Sequence, residues 1–454
     1  METKQNIQLR KHGLACALTA ALGTAICLPA FASDDVDALK RELAEQRKLI
    51  EQLMARQGVL APPAQTSNHA SRAPEAQPSI ATTPPPGNVS VYGTGDIAIM
   101  NVDSGNGRKT TVNGGGGWTA SRIGLKAERN LRGGGLKAVV VAEAGVQFDT
   151  GVAGGAAPTN GIGLTPSSSG SPGNGSQLFA RQMYAGIEGD FGALTAGRQY
   201  TGSYFLLAFL STARGQGLLG NPVVYMSQVG GMPTRLNNSV KYLSPNVKGF
   251  ELNITATAGS ENNVRNSTAV GATTTNSSAG RGYDAALTYG AGKFKFGVST
   301  WNLNNSSWAT LVETGLAKKK GALAGASYDF GTLKLYGNYT SGSIKGGNYE
   351  KVTGTLSNAD AWSIGILVPY GKHSFVARYS TLNDKSRLNQ DAKIYGLGYG
   401  YTLDESTQLY WTWGKVRNSH TAGYSLLDAG SLVPQTVTAG FSPSGAMVGA
   451  NINF

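Results

Sequence analysis

The residues of this sequence best suited to chemistry are cations that alternate with apolar side chains. Arg122 and Lys126 lie at alternate positions to Ile123 and Leu125. Alternation with a period of two places the two kinds of side chain on opposite faces of a β-strand. Cations held on one face attract anions and perform no covalent step, so the chemistry indicated is the binding or passage of anions. The same parity predicts three more cations on polar faces: Arg235, Lys241 and Arg378.

Acidic residues are absent from one long stretch of the chain. Residues 191–250 contain no Asp or Glu, although Arg198 lies within them. In this stretch Leu236 and Val240 are expected to share the apolar face. Elsewhere, Glu143 and Asp96 fall on the polar faces of their segments and are expected to pair with some of the cations.

Other apparent motifs do not support catalysis. The two Asp-Phe-Gly tripeptides, at 190–192 and 329–331, lack the other signatures of a kinase. The segment 290–293 lacks the spacing of a phosphate loop. The histidines are scattered, without the spacing of a metal site. We therefore expect no enzymatic activity, no cofactor and no metal ion.

The elements that must position these cations are short strands. Segments of about ten residues alternate between apolar and polar side chains from residue 89 onward, which is typical of membrane barrel strands. The pattern predicts about sixteen antiparallel strands. They are expected to start near residues 88, 120, 135, 178, 193, 235, 249, 281, 293, 317, 332, 360, 372, 392, 407 and 445.

Connections of two kinds join these strands. Tight turns such as 190–192 and 370–371 alternate with long links rich in Gly, Asn, Ser and Thr, such as 101–118, 149–176 and 418–444. This asymmetry is typical of the two rims of an outer-membrane barrel. Only 15% of the 454 residues are charged. No apolar run after the first thirty residues is long enough for a spanning helix, so a membrane crossing requires a closed barrel.

The last ten residues read as the closing strand of that barrel. Ala446, Val448, Ala450, Ile452 and Phe454 share one face. Most chains end in a polar, frayed tail, whereas this one ends on an aromatic residue in register. Phe454 is therefore predicted to take part in barrel assembly, which makes the barrel-assembly machinery an expected partner.

Residues 1–32 are predicted to be a signal peptide. A basic start precedes the apolar run from Leu14 to Leu28, and Ala30-Phe31-Ala32 provides a cleavage site. Both cysteines lie in this segment, and Ile26 before Cys27 argues against lipidation. The net charge is +12. A basic protein of the cell interior would suggest nucleic acid, but export makes that partner unexpected.

Two further segments precede the barrel. Residues 33–58 carry about three heptads, with Val36, Leu43 and Ile50 at one repeating position, which predicts a periplasmic coiled coil. A solitary amphipathic helix remains the alternative. Residues 59–87 are rich in Pro, Ala and Ser and are expected to form an extended linker.

The barrel segment 88–454 resembles a Gram-negative trimeric porin of the type common in beta-proteobacteria. The resemblance lies in the opening strand at 89–93, Ser121–Lys126, Arg181–Gly186, Gly197–Tyr200 and the terminal Phe454. It implies a homotrimer in the outer membrane, in contact with membrane lipid and lipopolysaccharide. It also implies that Arg181 is luminal and forms a basic ladder with Arg122 and Arg235 at a pore constriction. Arg198, Lys126 and Arg378 are further candidates.

In such porins the link after the fifth strand folds inward and narrows the pore. The corresponding link here is about 202–234, which lacks the acidic residues usual in the family. Its apolar run, including Tyr204, Phe205 and Phe209, is expected to pack the link inside the barrel.

These features predict a water-filled porin for passive diffusion of small hydrophilic solutes, with a preference for anions. One alternative is a solute-specific channel for phosphate, an organic acid or a sugar. Another is a structural barrel that tethers the outer membrane to peptidoglycan through residues 33–87.

Overall fold

The computed structural model describes most of the segment expected to form the barrel. The described residues are 87–105, 107–131, 134–151, 153, 178–211, 225–259, 281–306, 316–345, 358–426 and 437–454. The expected signal peptide, the coiled coil and nearly all of the linker lie outside them. Among the described residues, no helix is both long and apolar enough to cross a membrane.

The described chain is almost entirely β-structure. An α-helix, α1 (Gly202–Phe209), a further short helical stretch at 225–226 and a 3-10 turn (Val229–Gly231) lie between β6 and β7. The strands are β1 (Asn88–Asp103), β2 (Arg108–Asn113), β3 (Arg122–Asn130), β4 (Lys137–Gly145), β5 (Gln182–Gly189), β6 (Gly192–Tyr200), β7 (Arg235–Leu243), β8 (Phe250–Ala258), β9 (Arg281–Ala291), β10 (Phe294–Ser306), β11 (Leu316–Asp329), β12 (Lys334–Lys345), β13 (Asn358–Tyr370), β14 (His373–Asp384), β15 (Ala392–Thr402), β16 (Thr407–Asn418) and β17 (Ser444–Asn453).

The strands close into an antiparallel barrel. From β3 to β17 each strand pairs with the next along the chain, and β17 pairs with β1 from Thr94↔Asn453 to Asp103↔Ser444. Phe454 extends this closure, because its N–H donates to the Gly93 carbonyl at 3.2 Å and its carbonyl accepts from the Gly93 N–H at 2.9 Å. The predicted closing strand is therefore confirmed.

β2 pairs only with β1 and extends the wall rather than adding a strand to the barrel. β3 covers Asn88–Thr94 of β1, and β2 covers Ala98–Asp103. The barrel proper thus has sixteen strands, as predicted, and each begins within four residues of its predicted start. β2 itself was not predicted, because it falls in the segment 101–118, which was assigned to a long link. It pairs with the part of β1 that extends beyond the end of β3.

The outer face of the wall is apolar. On β1, Val89, Val91, Ile97 and Ile99 share one face and are 72%, 58%, 45% and 57% exposed, and Ile97 and Ile99 alternate with the buried Asp96, Ala98 and Met100. The same alternation recurs around the barrel, which leaves a continuous apolar belt far larger than a water-facing surface carries. Such a belt on a closed barrel is typical of a protein surrounded by lipid.

One parity expectation is wrong. Leu236 was expected on the lipid-facing side with Val240, yet it is buried, whereas Val240 is 51% exposed. The ladder between β6 and β7 shifts between Gly197 and Gln199, and Asn238 adopts a positive φ of 47°. This bulge inserts one extra residue into β7, so the alternation before it does not continue after it.

Candidate functional site

The link between β6 and β7 packs against the inner face of the barrel. Helix α1 contacts β8 to β11, and the 3-10 turn contacts β11 to β13. Leu206, Leu210 and Met232 are fully buried there. We call β9 to β12 the anchor wall, because they hold the link.

Inward-facing glycines of the anchor wall admit the link at close range. A Cβ on Gly297 would lie 2.3 Å from a methyl carbon of Leu206, and one on Gly325 would lie 2.8 Å from a methyl carbon of Leu210. A side chain at either position therefore requires the facing leucine to move, and at Gly325 it also requires movement of Asn338, whose Oδ1 would lie 2.4 Å from the Cβ. The Trp301 indole N–H also donates to the Gly230 carbonyl at 2.9 Å.

Polar contacts fix the start of the link. The Ser203 N–H donates to Oδ1 of Asp284 at 3.0 Å, and the Tyr204 N–H donates to the Thr201 hydroxyl at 3.2 Å. The Thr201 hydroxyl in turn donates to the Pro233 carbonyl at 2.5 Å. Unpaired N–H groups at the helix start are thereby satisfied, and the two ends of the link are joined.

The predicted packing residues of the link occupy different surroundings. Tyr204 stacks on Tyr200 with ring centroids 4.8 Å apart. Phe205 lies 5.5 Å from Tyr200 but remains 44% exposed. Phe209 lies beneath the Lys295 ammonium at 4.7 Å. Phe205 therefore presents an apolar ring to open space, whereas Tyr204 is partly buried against the core.

Three arginines converge on the part of the barrel from β3 to β7, which we call the basic wall. Arg181 donates through Nε to Glu143 Oε1 at 2.7 Å and through Nη2 to the Tyr200 hydroxyl at 2.5 Å. Arg235 also donates to the Tyr200 hydroxyl and lies 4.0 Å from the centroid of that ring. Arg122 approaches Glu143 at 3.9 Å. The expected ladder of Arg122, Arg181 and Arg235 is thus one cluster around Glu143 and Tyr200.

The cluster carries more positive than negative charge. Glu143 is the one carboxylate that the described ion pairs bring to this cluster, through Arg122 and Arg181, and none of those pairs includes Arg235. It also accepts from the Tyr92 hydroxyl at 3.1 Å. The Nε and Nη1 atoms of Arg235 are buried and have no hydrogen-bond partner among the described residues. No described ion pair balances the charge of this buried guanidinium, so it adds to the positive field of the cluster, which favours anions nearby.

Two other predicted cations lie outside the cluster. Lys126 pairs with Glu128 at 2.9 Å, near the tight-turn rim. Arg378 is buried on β14, eight strands from β6 in the sixteen-stranded ring and so on the opposite side of the barrel.

Arg198 lies beside the cluster. It donates to the Ala180 carbonyl at 2.6 Å and to the Asn237 side chain. These partners are neutral, so Arg198 adds to the positive charge of the basic wall.

Asp96 has a different role from the expected pairing with a cation. Its carboxylate accepts from the backbone N–H groups of Gly117, Trp118 and Thr119 at 2.8–3.1 Å. It also accepts from Tyr410 and Asn451 at 2.6 and 2.9 Å. No described ion pair includes it. Asp96 instead binds the segment before β3 to the closing strands, because those N–H groups satisfy its charge.

Two residues of the site, Tyr200 and Asp284, were not among the expected ones, and a third, Lys241, was predicted only to lie on a polar face. Tyr200 joins Arg181 and Arg235 to the link, and Asp284 caps α1. The Lys241 ammonium donates to the Tyr200 carbonyl at 3.3 Å and lies 5.3 Å from the Phe205 ring. Parity placed Lys241 on the polar face, but no local pattern distinguishes Tyr200 or Asp284 from similar residues elsewhere.

A cavity of about 750 Å³ lies beside the cluster. Its lining includes Arg122, Arg181 and Phe205, together with Asp404 and Glu405 of the turn between β15 and β16. Hydrogen bonds from Ser406 and Thr407 hold the pKa of Asp404 below its usual range, so this carboxylate is ionised. The cavity is therefore polar, with cations on one side and anions on the other. Within the described ranges, no group of three His, Cys, Asp or Glu residues could hold a metal ion.

Comparisons with solved structures identify related barrels. An anion-selective porin from Comamonas acidovorans matches with a TM-score of 0.61 and 21% identity, over 81% of this chain and 100% of that one. OmpT of Vibrio cholerae in its trimer form matches with a TM-score of 0.55 and 14% identity, over 81% and 99%. OmpF of Salmonella typhi in complex with daunomycin matches with a TM-score of 0.51 and 14% identity, over 81% and 97%. At these identities the likeness establishes the fold.

The sequence comparisons give the family. No curated protein matches the chain. The family model described as Gram-negative porin matches residues 64–421, which is most of the chain. The family and the barrel fold indicate an outer-membrane location. This chain therefore belongs to the Gram-negative porin family.

Proposed function

We propose that this porin is an anion-preferring channel through which small hydrophilic solutes diffuse passively. The observation that carries the proposal is the clustering of three arginines beside the inward link: Arg122 and Arg181 meet at Glu143, and Arg181 and Arg235 meet at the Tyr200 hydroxyl. The link narrows the lumen at the level where this excess of positive charge lies. A hydrated anion entering there is stabilised, and a cation is destabilised. The similar porin from Comamonas acidovorans carries the description anion-selective, which agrees with this proposal.

The expected preference is modest. A charge 4 Å away contributes about 1 kcal/mol in water, and the lumen is water-filled. Mobile ions screen charges beyond about 10 Å at 0.1 M salt, so the preference decreases as salt increases. A reversal potential measured in a planar bilayer under a KCl gradient tests the proposal. We expect the sign that corresponds to chloride preference, and potassium preference would contradict it.

We further propose that the channel is a homotrimer. OmpT, whose fold is similar, has a trimer form. The heptads in 33–58 could gather chains that already associate through their barrels. Single-channel recordings test this: three equal closing steps are expected, and a single step would argue for a monomer.

A solute-specific channel for an organic acid is the second candidate. Phe205 exposes its ring into the same cavity that Arg122 and Arg181 line. A ring beside cations suits a solute with a carboxylate and an apolar body. Saturation of the current by one organic anion at low concentration would favour this function over a general pore.

The tethering function depends on residues 33–87 and remains a separate proposal. A peptide of these residues retained by peptidoglycan would support it. Lack of retention would leave trimer formation as the role of the extension.

A further inference from the structure

The cavity beside the arginine cluster has carboxylates on its far side, which the passage of anions does not require. Its charged lining residues are Arg122, Glu143, Arg181, Asp404 and Glu405. Glu143 and Arg181 form a buried ion pair at 2.7 Å, so their charges oppose each other at close range. One cation, Arg122, and the two carboxylates of the turn between β15 and β16 therefore remain to face a solute.

Arg122 retains hydrogen-bond donors for a ligand. Its side chain is 27% exposed, and within the described ranges it makes one hydrogen bond, from Nη1 to the Ala120 carbonyl at 3.2 Å. Its contact with Glu143, at 3.9 Å, is longer than a hydrogen bond. A guanidinium with unused donors can bind a carboxylate through two parallel hydrogen bonds. Arg122 is thus suited to the carboxylate of a solute.

The carboxylates of the turn have no cationic partner among the described residues. Neither Asp404 nor Glu405 belongs to a described ion pair, and both are exposed. Ser406 and Thr407 donate three hydrogen bonds to Asp404, at 2.8–3.0 Å, and all three reach Oδ1. Oδ2 of Asp404 and the carboxylate of Glu405 are left to accept from a solute. Two adjacent carboxylates attract a cationic group such as an ammonium.

The strand register gives the separation of the two kinds of charge. Arg122 lies opposite Thr94 across β3 and β1, and Thr94 lies opposite Asn453 across β1 and β17. The Asn453 N–H donates to the Ser406 carbonyl at 2.8 Å, which places the turn next to β17. Three steps of about 4.8 Å put the backbone of Arg122 roughly 14 Å from the turn along the wall. A solute with one charge at each end can lie between them.

The lining between the charged ends consists of an exposed ring and neutral amides. Phe205 is 44% exposed and lines the cavity. Gln408 and Asn451, which lie opposite each other across β16 and β17, line it together with Asn453. The ring offers apolar surface, and the amides offer donors and acceptors to peptide-like groups. A volume of about 750 Å³ is within the usual range of a small-molecule site.

We propose that this cavity binds small zwitterions with an apolar body, such as aromatic amino acids and dipeptides, during their passage. Arg122 holds the carboxylate, Phe205 contacts the apolar body, and Asp404 and Glu405 hold the ammonium group. The opposing carboxylates come from a turn of the barrel and not from the inward link. The inference rests on the proposed function, because the cavity lies beside the link that narrows the lumen.

The test measures interruptions of the ion current through the full-length protein in a planar bilayer. Three probes share one body: glycylphenylalanine, its N-acetyl form, which lacks the ammonium group, and its amide, which lacks the carboxylate. We expect glycylphenylalanine to half-saturate the interruptions at a concentration ~3–5-fold below that of either derivative, which is the effect of one exposed ion pair. Equal half-saturating concentrations of glycylphenylalanine and its N-acetyl form, or no interruption by glycylphenylalanine, would overturn the proposal.

The variant Asp404→Asn/Glu405→Gln removes the ammonium site alone. Asparagine retains the Oδ1 acceptor of the turn, and gel mobility without heating verifies that the barrel folds. We expect this variant to bind glycylphenylalanine and its N-acetyl form equally. The control is Glu188→Gln/Asp190→Asn, which removes two carboxylates near the same rim but outside the cavity lining, and it should retain the difference between the probes. Loss of the difference in both variants, or in neither, would count against the proposal.

The reversal potential under a KCl gradient is recorded on the same samples. Chloride preference without discrimination among the three probes would overturn this inference and leave the proposed function standing. Potassium preference in the unmodified protein would contradict the proposed function, whatever the probes show.

Discussion

The basic wall and the anchor wall hold the same link in different ways. On the anchor wall the contacts are mainly neutral: leucines lie against glycines, and Trp301 donates to a backbone carbonyl. On the basic wall the contact is aromatic: Tyr204 of the link stacks on Tyr200, whose hydroxyl accepts from Arg181 and Arg235. The anchor wall therefore determines the position of the link, and the basic wall determines the charge next to it. Mutations should therefore separate pore size from pore selectivity.

The largest effect is expected when a side chain is added to the anchor wall. In Gly297→Leu the new Cβ overlaps Leu206, and overpacking of this kind costs ~1–3 kcal/mol. We expect the link to be displaced, with altered single-channel conductance or loss of folded protein. Gly337→Leu is the control, because nothing lies within 4 Å of a Cβ there. Unchanged conductance in Gly297→Leu would show that the link does not depend on this contact.

Removal of the shared carboxylate should affect both stability and selectivity. Glu143→Gln leaves the Arg181 guanidinium, whose side chain is 9% exposed, without its ionic partner. Breaking a buried pair of this kind costs about 3–5 kcal/mol. We expect unfolding at lower temperature, measured by gel mobility after graded heating, and a stronger preference for anions. Glu188→Gln, at an exposed pair with Lys137, should change little. Equal effects of the two substitutions would contradict the assignment of Glu143 to the cluster.

Loss of the α1 cap should have a smaller effect. Asp284→Ala removes the acceptor of the Ser203 N–H, and loss of a helix cap costs about 1 kcal/mol. We expect more frequent transient closures at moderate voltage, with the anion preference retained. Asp360→Ala, on the outward face, is the control. A large change in ion preference without extra closures would mean that Asp284 acts through its charge rather than by positioning the link.

The smallest effect is expected across the lumen. Arg378→Gln removes a cation that lies on the opposite side of the barrel from β6. We expect its shift in reversal potential to be less than half that of Arg122→Gln. A larger shift in reversal potential for Arg378→Gln than for Arg122→Gln would show that the charge responsible for selectivity does not lie on the basic wall.

The strands could be predicted from the sequence because their pattern is local. The sequence shows the alternation of apolar and polar residues, the turn residues and the aromatic C-terminal residue without any knowledge of the fold. The number of barrel strands and the closure by β17 were therefore predicted correctly. The bulge at Asn238 is visible only in the pairing of β6 with β7, and it alone explains why Leu236 is buried.

Contacts within the site are non-local, and so they were less predictable. Asp96 meets the N–H groups of Gly117 to Thr119 and the side chain of Tyr410, which are distant in sequence. Parity correctly placed Asp96 on the inner face but could not identify its partners. The partners of Tyr200 could not be predicted either, because its hydroxyl accepts from Arg181, just before β5, and from Arg235, at the start of β7.

The central claim is that the net positive charge of the basic wall selects anions. The most direct test is the reversal potential under a KCl gradient for the unmodified protein and for Arg122→Gln/Arg235→Gln, which spares the buried Arg181–Glu143 pair. We expect chloride preference in the unmodified protein and its loss or reversal in the variant, because two of the cations that oppose the charges of Glu143 and Asp404 are then absent. An identical chloride preference in both proteins would contradict it.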